Sequence, residues 1–97
     1  MAFIQVLEFS TTHTDEIRAM EKEYRAATEG RRTLVRSIIC QDRNDPKRHV
    51  VLAFFDSYES AMKNSELPET ADFAQKTGAL VDGEIRFSDL DVIEELS

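Results

Sequence analysis

The run Val50-Val51-Leu52-Ala53-Phe54-Phe55 constrains the fold more than any other stretch of the chain. It is strand-length, rich in β-branched and aromatic residues, and bounded by Arg48-His49 on one side and Asp56-Ser57 on the other. Successive side chains of a strand point to opposite faces of the sheet, so a half-exposed antiparallel strand alternates apolar with polar residues. This one does not alternate. Any fold that contains it must keep water away from both sides of the sheet at this strand.

The rest of the chain supplies the elements around it. Phe3, Gln5, Leu7 and Phe9 alternate with Ile4, Val6 and Glu8, which predicts a strand whose first face is interrupted only by Gln5. The Ser10–Glu16 segment is turn and cap chemistry: Thr14 is expected to accept from early helical amides, and Asp15 and Glu16 suit the positive end of a helix dipole. Ile17, Met20, Tyr24 and Ala27 recur at helical spacing, with Glu21 and Arg25 placed for an i,i+4 pair, and Gly30 closes the helix. Residues 33–40 read as a second strand, with Val35 and Ile39 on one side and Leu34, Arg36, Ile38 and Cys40 on the other. The charged turn through Pro46 then leads into the third strand, opening at His49.

Asp56 or Ser57 can cap a short helix through Asn64 that turns Tyr58, Ala61 and Met62 inward, and Pro68 starts a further helical segment running to Gly83. In the last strand, residues 84–93, the alternation slips between Phe87 and Leu90, which predicts a bulge near Ser88 and Asp89 or an arm that changes partner. The order is strand, helix, strand, strand, broken helix, strand. Short connections and right-handed crossovers make this the ferredoxin-like α+β arrangement, a four-stranded antiparallel sheet with the helices on one face, in a single domain over residues 1–97.

Helices on one face leave the other bare, yet Val51, Ala53 and Phe55 point opposite to Val50, Leu52 and Phe54. Leaving the larger of these side chains in water forgoes about 1.5–3 kcal/mol each, and together they form a patch that calls for a partner. No segment is left over to cover it. The expectation is a homodimer closed sheet against sheet.

Composition narrows the partners. Nineteen acidic against twelve basic residues give a net charge of −7, without a basic, aromatic-interleaved stripe, which argues against nucleic acid. No apolar run approaches the roughly 18 residues of a membrane span, and the N-terminal stretch has no charged region followed by a long apolar one. A cytoplasmic protein with no membrane partner is expected. Cys40, the only cysteine, is expected to be an inert buried thiol, and a lone cysteine permits neither an internal disulfide nor a multi-cysteine metal site.

The element order, the double-faced third strand and the run FFDSYESAMKNSELPETADFAQ (residues 54–75) resemble the dimeric α/β-barrel superfamily, in particular the antibiotic biosynthesis monooxygenase-like (ABM) domains, over essentially the whole chain. The resemblance implies a ferredoxin-like protomer, dimerisation through the sheets to a dimeric α/β barrel, and a pocket in each protomer between sheet and helices. Members of that superfamily include cofactor-independent oxygenases of polyphenols and haem-degrading enzymes. The haem degraders use an asparagine on the first strand, a tryptophan at the end of the third and a histidine on the second helix; those positions fall here on Gln5, Phe55 and the Lys76–Thr77 region, and the chain has no tryptophan. Its two histidines, His13 and His49, lie elsewhere. Many ABM domains also carry a histidine shortly after the start of the second helix, where this chain has Asn64.

The resemblance thus implies a protein acting on, or only binding, a small aromatic or polyketide-like compound, with no cofactor and no metal. The expected pocket lining is Gln5, Leu7, Arg36, Phe54, Tyr58, Met62 and Asn64, with Gln5, Tyr58 and His49 as candidate catalytic groups. Each has a plainer reading. Gln5 must find hydrogen-bond partners if buried, whatever its role. Arg36 can reach solvent or a carboxylate such as Glu8. His49, beside a charged turn, is expected to be an exposed strand-end residue. Tyr24 and Tyr58, on inward helical faces, can offer a phenolic hydroxyl to a ligand or be core residues with a wet tip, and Asn64 can be a helix C-cap. The rival to an oxygenase is a non-catalytic ligand-binding or assembly module of the same fold.

Overall fold

The computed structural model describes residues 2–97. Strand β1 (Phe3–Ser10) is followed by helix α1 (Thr14–Ala27), the hairpin of β2 (Arg36–Gln41) and β3 (Arg48–Phe55), the helices α2 (Tyr58–Ser65) and α3 (Pro68–Leu80), and strand β4 (Asp82–Asp91). The four strands form one antiparallel sheet in the order β2-β3-β1-β4. This is the expected ferredoxin-like α+β topology, and the strand that is apolar on both faces is one of its two central strands. No described helix is long and apolar enough to cross a membrane.

Local chemistry sets most boundaries. Ser57 caps α2 by accepting from the Ser60 amide at 3.0 Å, and Pro68 occupies the first turn of α3, where its missing N–H is harmless. The start of α1 differs from expectation. Thr14 does not cap it; Thr11 Oγ1 accepts from the His13 amide at 2.9 Å, and the Thr14 hydroxyl turns instead toward His49. β2 begins at Arg36 rather than Thr33, although the Val35 amide already donates to the Phe54 carbonyl. The irregularity in β4 lies not at Ser88–Asp89, which pair in register with Val6 and Gln5, but between the partners of Glu8 and Ser10, where Gly83 takes φ +76°. Glycine alone adopts that backbone without strain.

The register assigns the two faces. Phe3, Gln5, Leu7 and Phe9 share the helix side with His49, Val51, Ala53 and Phe55 of β3 and Phe87 of β4. Ile4, Val6, Ile38, Cys40, Val50, Leu52, Phe54 and Leu90 share the outer side, over which no described helix packs. On that side Ile38 is 36% and Leu90 48% exposed. Cys40 is exposed there too, which corrects the expectation of a buried thiol: its neighbours in sequence are apolar, but its face is open in the single chain.

The core under the helices is concentrated at the two ends of the central strands. At one end the cross-strand pair Phe3 and Phe55 is buried with Ala61; at the other, Phe9 stacks flat on His49, and Ile17 is buried. The pairs between them, Gln5 with Ala53 and Leu7 with Val51, are only half-buried. The sheet is thus plugged at both ends and hollow in the middle.

Candidate functional site

The hollow is a cavity of about 170 Å³ between the sheet and all three helices. Its floor is Gln5, Leu7, Val51, Ala53 and Phe87, the helices line the other side with Tyr24, Asn64, Phe73 and Thr77, and it is open to solvent beside Phe87. Small side chains at Ala53 and Ala74 leave the room. Most of this wall is apolar, and the polar side chains that interrupt it are in part connected to one another.

Asn64, 5% exposed, is the hub. Its Oδ1 accepts from the Thr33 amide at 3.1 Å, and its Nδ2 donates to the Tyr24 hydroxyl at 2.9 Å. Tyr24 Oη, which accepts that hydrogen bond, stands 2.9 Å from Thr70 Oγ1. The network joins the turn after α1 to α2, α1 and α3, and it orients each polar tip within the cavity wall. A side-chain amide carries two N–H donors, and one N–H of Asn64 is left over by this arrangement. Across the same cavity, Thr77 Oγ1 is buried with no hydrogen-bond partner, alone in this among the described residues. Glu21 supplies the one carboxylate in the wall; it accepts from Ser37 Oγ at 3.0 Å and from Arg25 at 3.3 Å, the expected i,i+4 pair.

Of the residues expected to line a pocket, the structure brings Gln5, Leu7 and Asn64 together. Arg36 and Phe54 are elsewhere. Both lie on the outer side of the sheet, where the Arg36 guanidinium sits 4.4 Å above the Phe54 ring and the two line a wider depression near residues 92–96. The pairing parity of β3 decides this: Phe54 cannot share a face with Val51 and Ala53. The carboxylate suggested for Arg36 belongs to another arginine, since Glu8 pairs with Arg48 at 3.2 Å. Tyr58 is half-exposed and set edge-on to Phe3, outside the cavity, because it occupies the first residue of α2 rather than its inward stripe. Met62 packs on the Phe3–Phe55–Ala61 plug and does not reach the cavity. Gln5 places its Nε2 3.4 Å from Asp89 Oδ1.

His49 is the largest departure. Far from being exposed at a strand end, it is 1% exposed, with Nδ1 2.8 Å from the Lys47 carbonyl and Nε2 2.9 Å from Thr14 Oγ1. A carbonyl can only accept, so Nδ1 carries the proton and Nε2 is free to accept from Thr14. The ring is committed to holding the start of α1 on the hairpin, at the opposite end of the sheet from the Phe3–Phe55 plug, and it does not line the cavity. It is therefore not a candidate base.

Comparison with known proteins adds the context of the fold. No family model and no curated protein sequence matches the chain. Solved structures do. The cofactor-independent oxygenase SnoaB from Streptomyces nogalater superposes with a TM-score of 0.80 at 16% identity, over 98% of this chain and 96% of that one. Rv0793 from Mycobacterium tuberculosis matches over the full length of both chains with a TM-score of 0.79 at 12% identity. A protein from Caulobacter crescentus, provisionally named an antibiotic biosynthesis monooxygenase, reaches 0.80 at 11% identity over 96% and 91%.

The fold is that of the ABM-like domains. Within the ABM-like fold, haem can be tested against the residues present. The Lys76–Thr77 region of α3, where the resemblance would place an iron ligand, holds a lysine paired with Asp72 and a threonine, and no histidine. His13 is exposed at the start of α1 and paired with Glu16, and His49 is locked as described. No cluster of three or more metal-binding side chains occurs among the described residues. The cavity residues do not fit haem.

Thr70 and Thr77 belong to the cavity although the sequence pattern does not single them out as its lining, and Tyr24, one of the two tyrosines expected on inward helical faces, joins them. Thr70 and Thr77 are one heptad apart on α3, and Tyr24 sits on the apolar stripe of α1. Hydroxyls recurring on an otherwise inward face are the signal that marks them.

Proposed function

We propose that this ABM-like chain is a cytoplasmic homodimer that binds a small aromatic compound in the cavity and oxidises it with dioxygen, without a metal or an organic cofactor. The observation that carries the reading is the combination of an apolar chamber with the spare N–H of Asn64, held in place by Thr33 and Tyr24. Oxygenation of an electron-rich phenol asks for a group that stabilises the ionised oxygen and for a dry space in which the carbanion-like ring meets dioxygen. Asn64 meets the first need as a hydrogen-bond donor preorganised by its own partners, and Gln5 at the cavity floor can supply a second donor. The apolar wall of Leu7, Val51 and Phe73 contributes to the second. The likeness of fold to SnoaB, itself a cofactor-independent oxygenase, supports the same reaction class.

A second reading has its own support. The single carboxylate of the cavity, Glu21, is engaged by Arg25 and Ser37, so no free ionised base stands in the wall. This favours a module that binds an aromatic compound without transforming it. Oxygen consumption in the presence of electron-rich phenols and a metal chelator separates the two. The oxygenase reading predicts uptake matched to loss of the phenol, reduced at least about tenfold in Asn64→Ala and unchanged in Tyr58→Phe, whose ring lies outside the cavity. Saturable binding without any uptake contradicts it in favour of the binding module.

A further inference from the structure

The threonine hydroxyls buried or half-buried around the core follow a pattern that Thr77 breaks. Thr11 Oγ1 donates to the Leu80 carbonyl at 2.6 Å, Thr28 Oγ1 to the Tyr24 carbonyl at 2.7 Å, and Thr33 Oγ1 to the Ser60 carbonyl. Each takes a main-chain acceptor, the common solution for a threonine that cannot reach water. Thr77 is 4% exposed and sits well inside α3, where the carbonyl one turn back is the usual acceptor, yet its Oγ1 takes no partner. Thr77 lines the same cavity as Asn64. An unpaired buried hydroxyl is disfavoured unless something else satisfies it.

We propose that Thr77 is a specificity-determining residue: its hydroxyl hydrogen-bonds a second polar atom of the ligand whose first oxygen is held by Asn64. This inference rests on the reading of the cavity as an aromatic site and extends it to the ligand's size and substitution. A dry cavity of about 150 Å³ is enough to take up a benzene ring, and this one measures about 170 Å³. The part of the ligand held here is therefore about one aromatic ring, carrying two hydrogen-bonding oxygens. Because a threonine hydroxyl both donates and accepts, it takes either a phenol or a carbonyl at the second position. A ligand with one oxygen leaves it unpaired.

The test uses phenol and the three benzenediols (catechol, resorcinol and hydroquinone), titrated anaerobically into the intact protein with binding followed by NMR chemical shifts. Wild type is expected to bind at least one diol roughly three- to tenfold more tightly than phenol, the worth of one hydrogen bond. Thr77→Val, which replaces the hydroxyl by a methyl group of like size, abolishes that preference and leaves phenol affinity within about twofold; Thr77→Ser restores the preference. Free Thr77→Val melts at or above the wild-type temperature, since it loses an unpaired polar atom. A preference retained in Thr77→Val, equal binding of phenol and every diol by wild type, or a lower melting temperature for the free variant overturns the proposal. Failure of every probe to bind wild type removes the aromatic-site reading itself, and this inference with it; binding of phenol without any role for Thr77 removes this inference alone.

Discussion

Tyr24 shows how one side chain serves both packing and the site. Its ring is buried against Phe73 at 5.2 Å between centroids, while its hydroxyl accepts from Asn64 and meets Thr70. Tyr24→Phe keeps the ring and removes only the oxygen, leaving an Asn64 N–H and a threonine hydroxyl without partners. The expected loss is about 1–2 kcal/mol, read as a lower urea midpoint at unchanged denaturant slope. At this scale the sequence is only partly legible. The inward position of Tyr24 follows from helical spacing, but its partners are 40 and 46 residues away and no local pattern names them. His49 departs from its expected exposure for the same reason. Its neighbours in sequence are charged, and what buries it is the ring of Phe9 and the hydroxyl of Thr14, both brought in by the fold.

Among the elements, the β2–β3 turn is held by a carboxylate. Asp42 Oδ1 accepts from the amides of Asn44 at 2.8 Å and Asp45 at 3.1 Å, and Oδ2 from Arg48 at 3.0 Å. The Asn44 amide first, then the Arg48 guanidinium, hold this carboxyl below the usual aspartate range. A second carboxylate, Glu69 at the start of α3, is lowered in the same sense by the Arg31 guanidinium 2.6 Å away. A depressed carboxyl favours the folded state when ionised, so its contribution is full above the unfolded-state value of about 4 and is lost as pH falls through the lower folded-state value. Asp42→Ala is accordingly less stable than wild type at pH 7, and the gap closes as the pH is lowered below about 4 in urea melts. A gap that stays constant with pH would show that the turn owes nothing to the charge. Element order is legible because apolar periodicity and turn chemistry are local. Strand ends are less so: the β4 irregularity at Gly83 depends on its pairing with β1, and the apparent slip at Ser88–Asp89 reflects an edge strand left largely uncovered rather than a bulge.

For the whole molecule, the sheet has two apolar sides and the helices cover one. Ile4, Val6, Ile38, Val50, Leu52, Phe54 and Leu90 line the other, with no described element over them, and burying the larger of these is worth about 1.5–3 kcal/mol each. The same central strands carry the cavity on their helix side, so covering the outer side steadies the floor on which Gln5, Leu7, Val51 and Ala53 stand. That both faces are apolar is legible in the Val50–Phe55 run by itself. Which face bears the site is not: the run is apolar on each side, and only the pairing register separates Arg36 and Phe54 from the cavity residues. Sedimentation equilibrium at micromolar concentration tests the account most directly. It predicts a folded species of twice the 11.1 kDa chain mass; a stable, cooperatively folded species at the mass of one chain would contradict it.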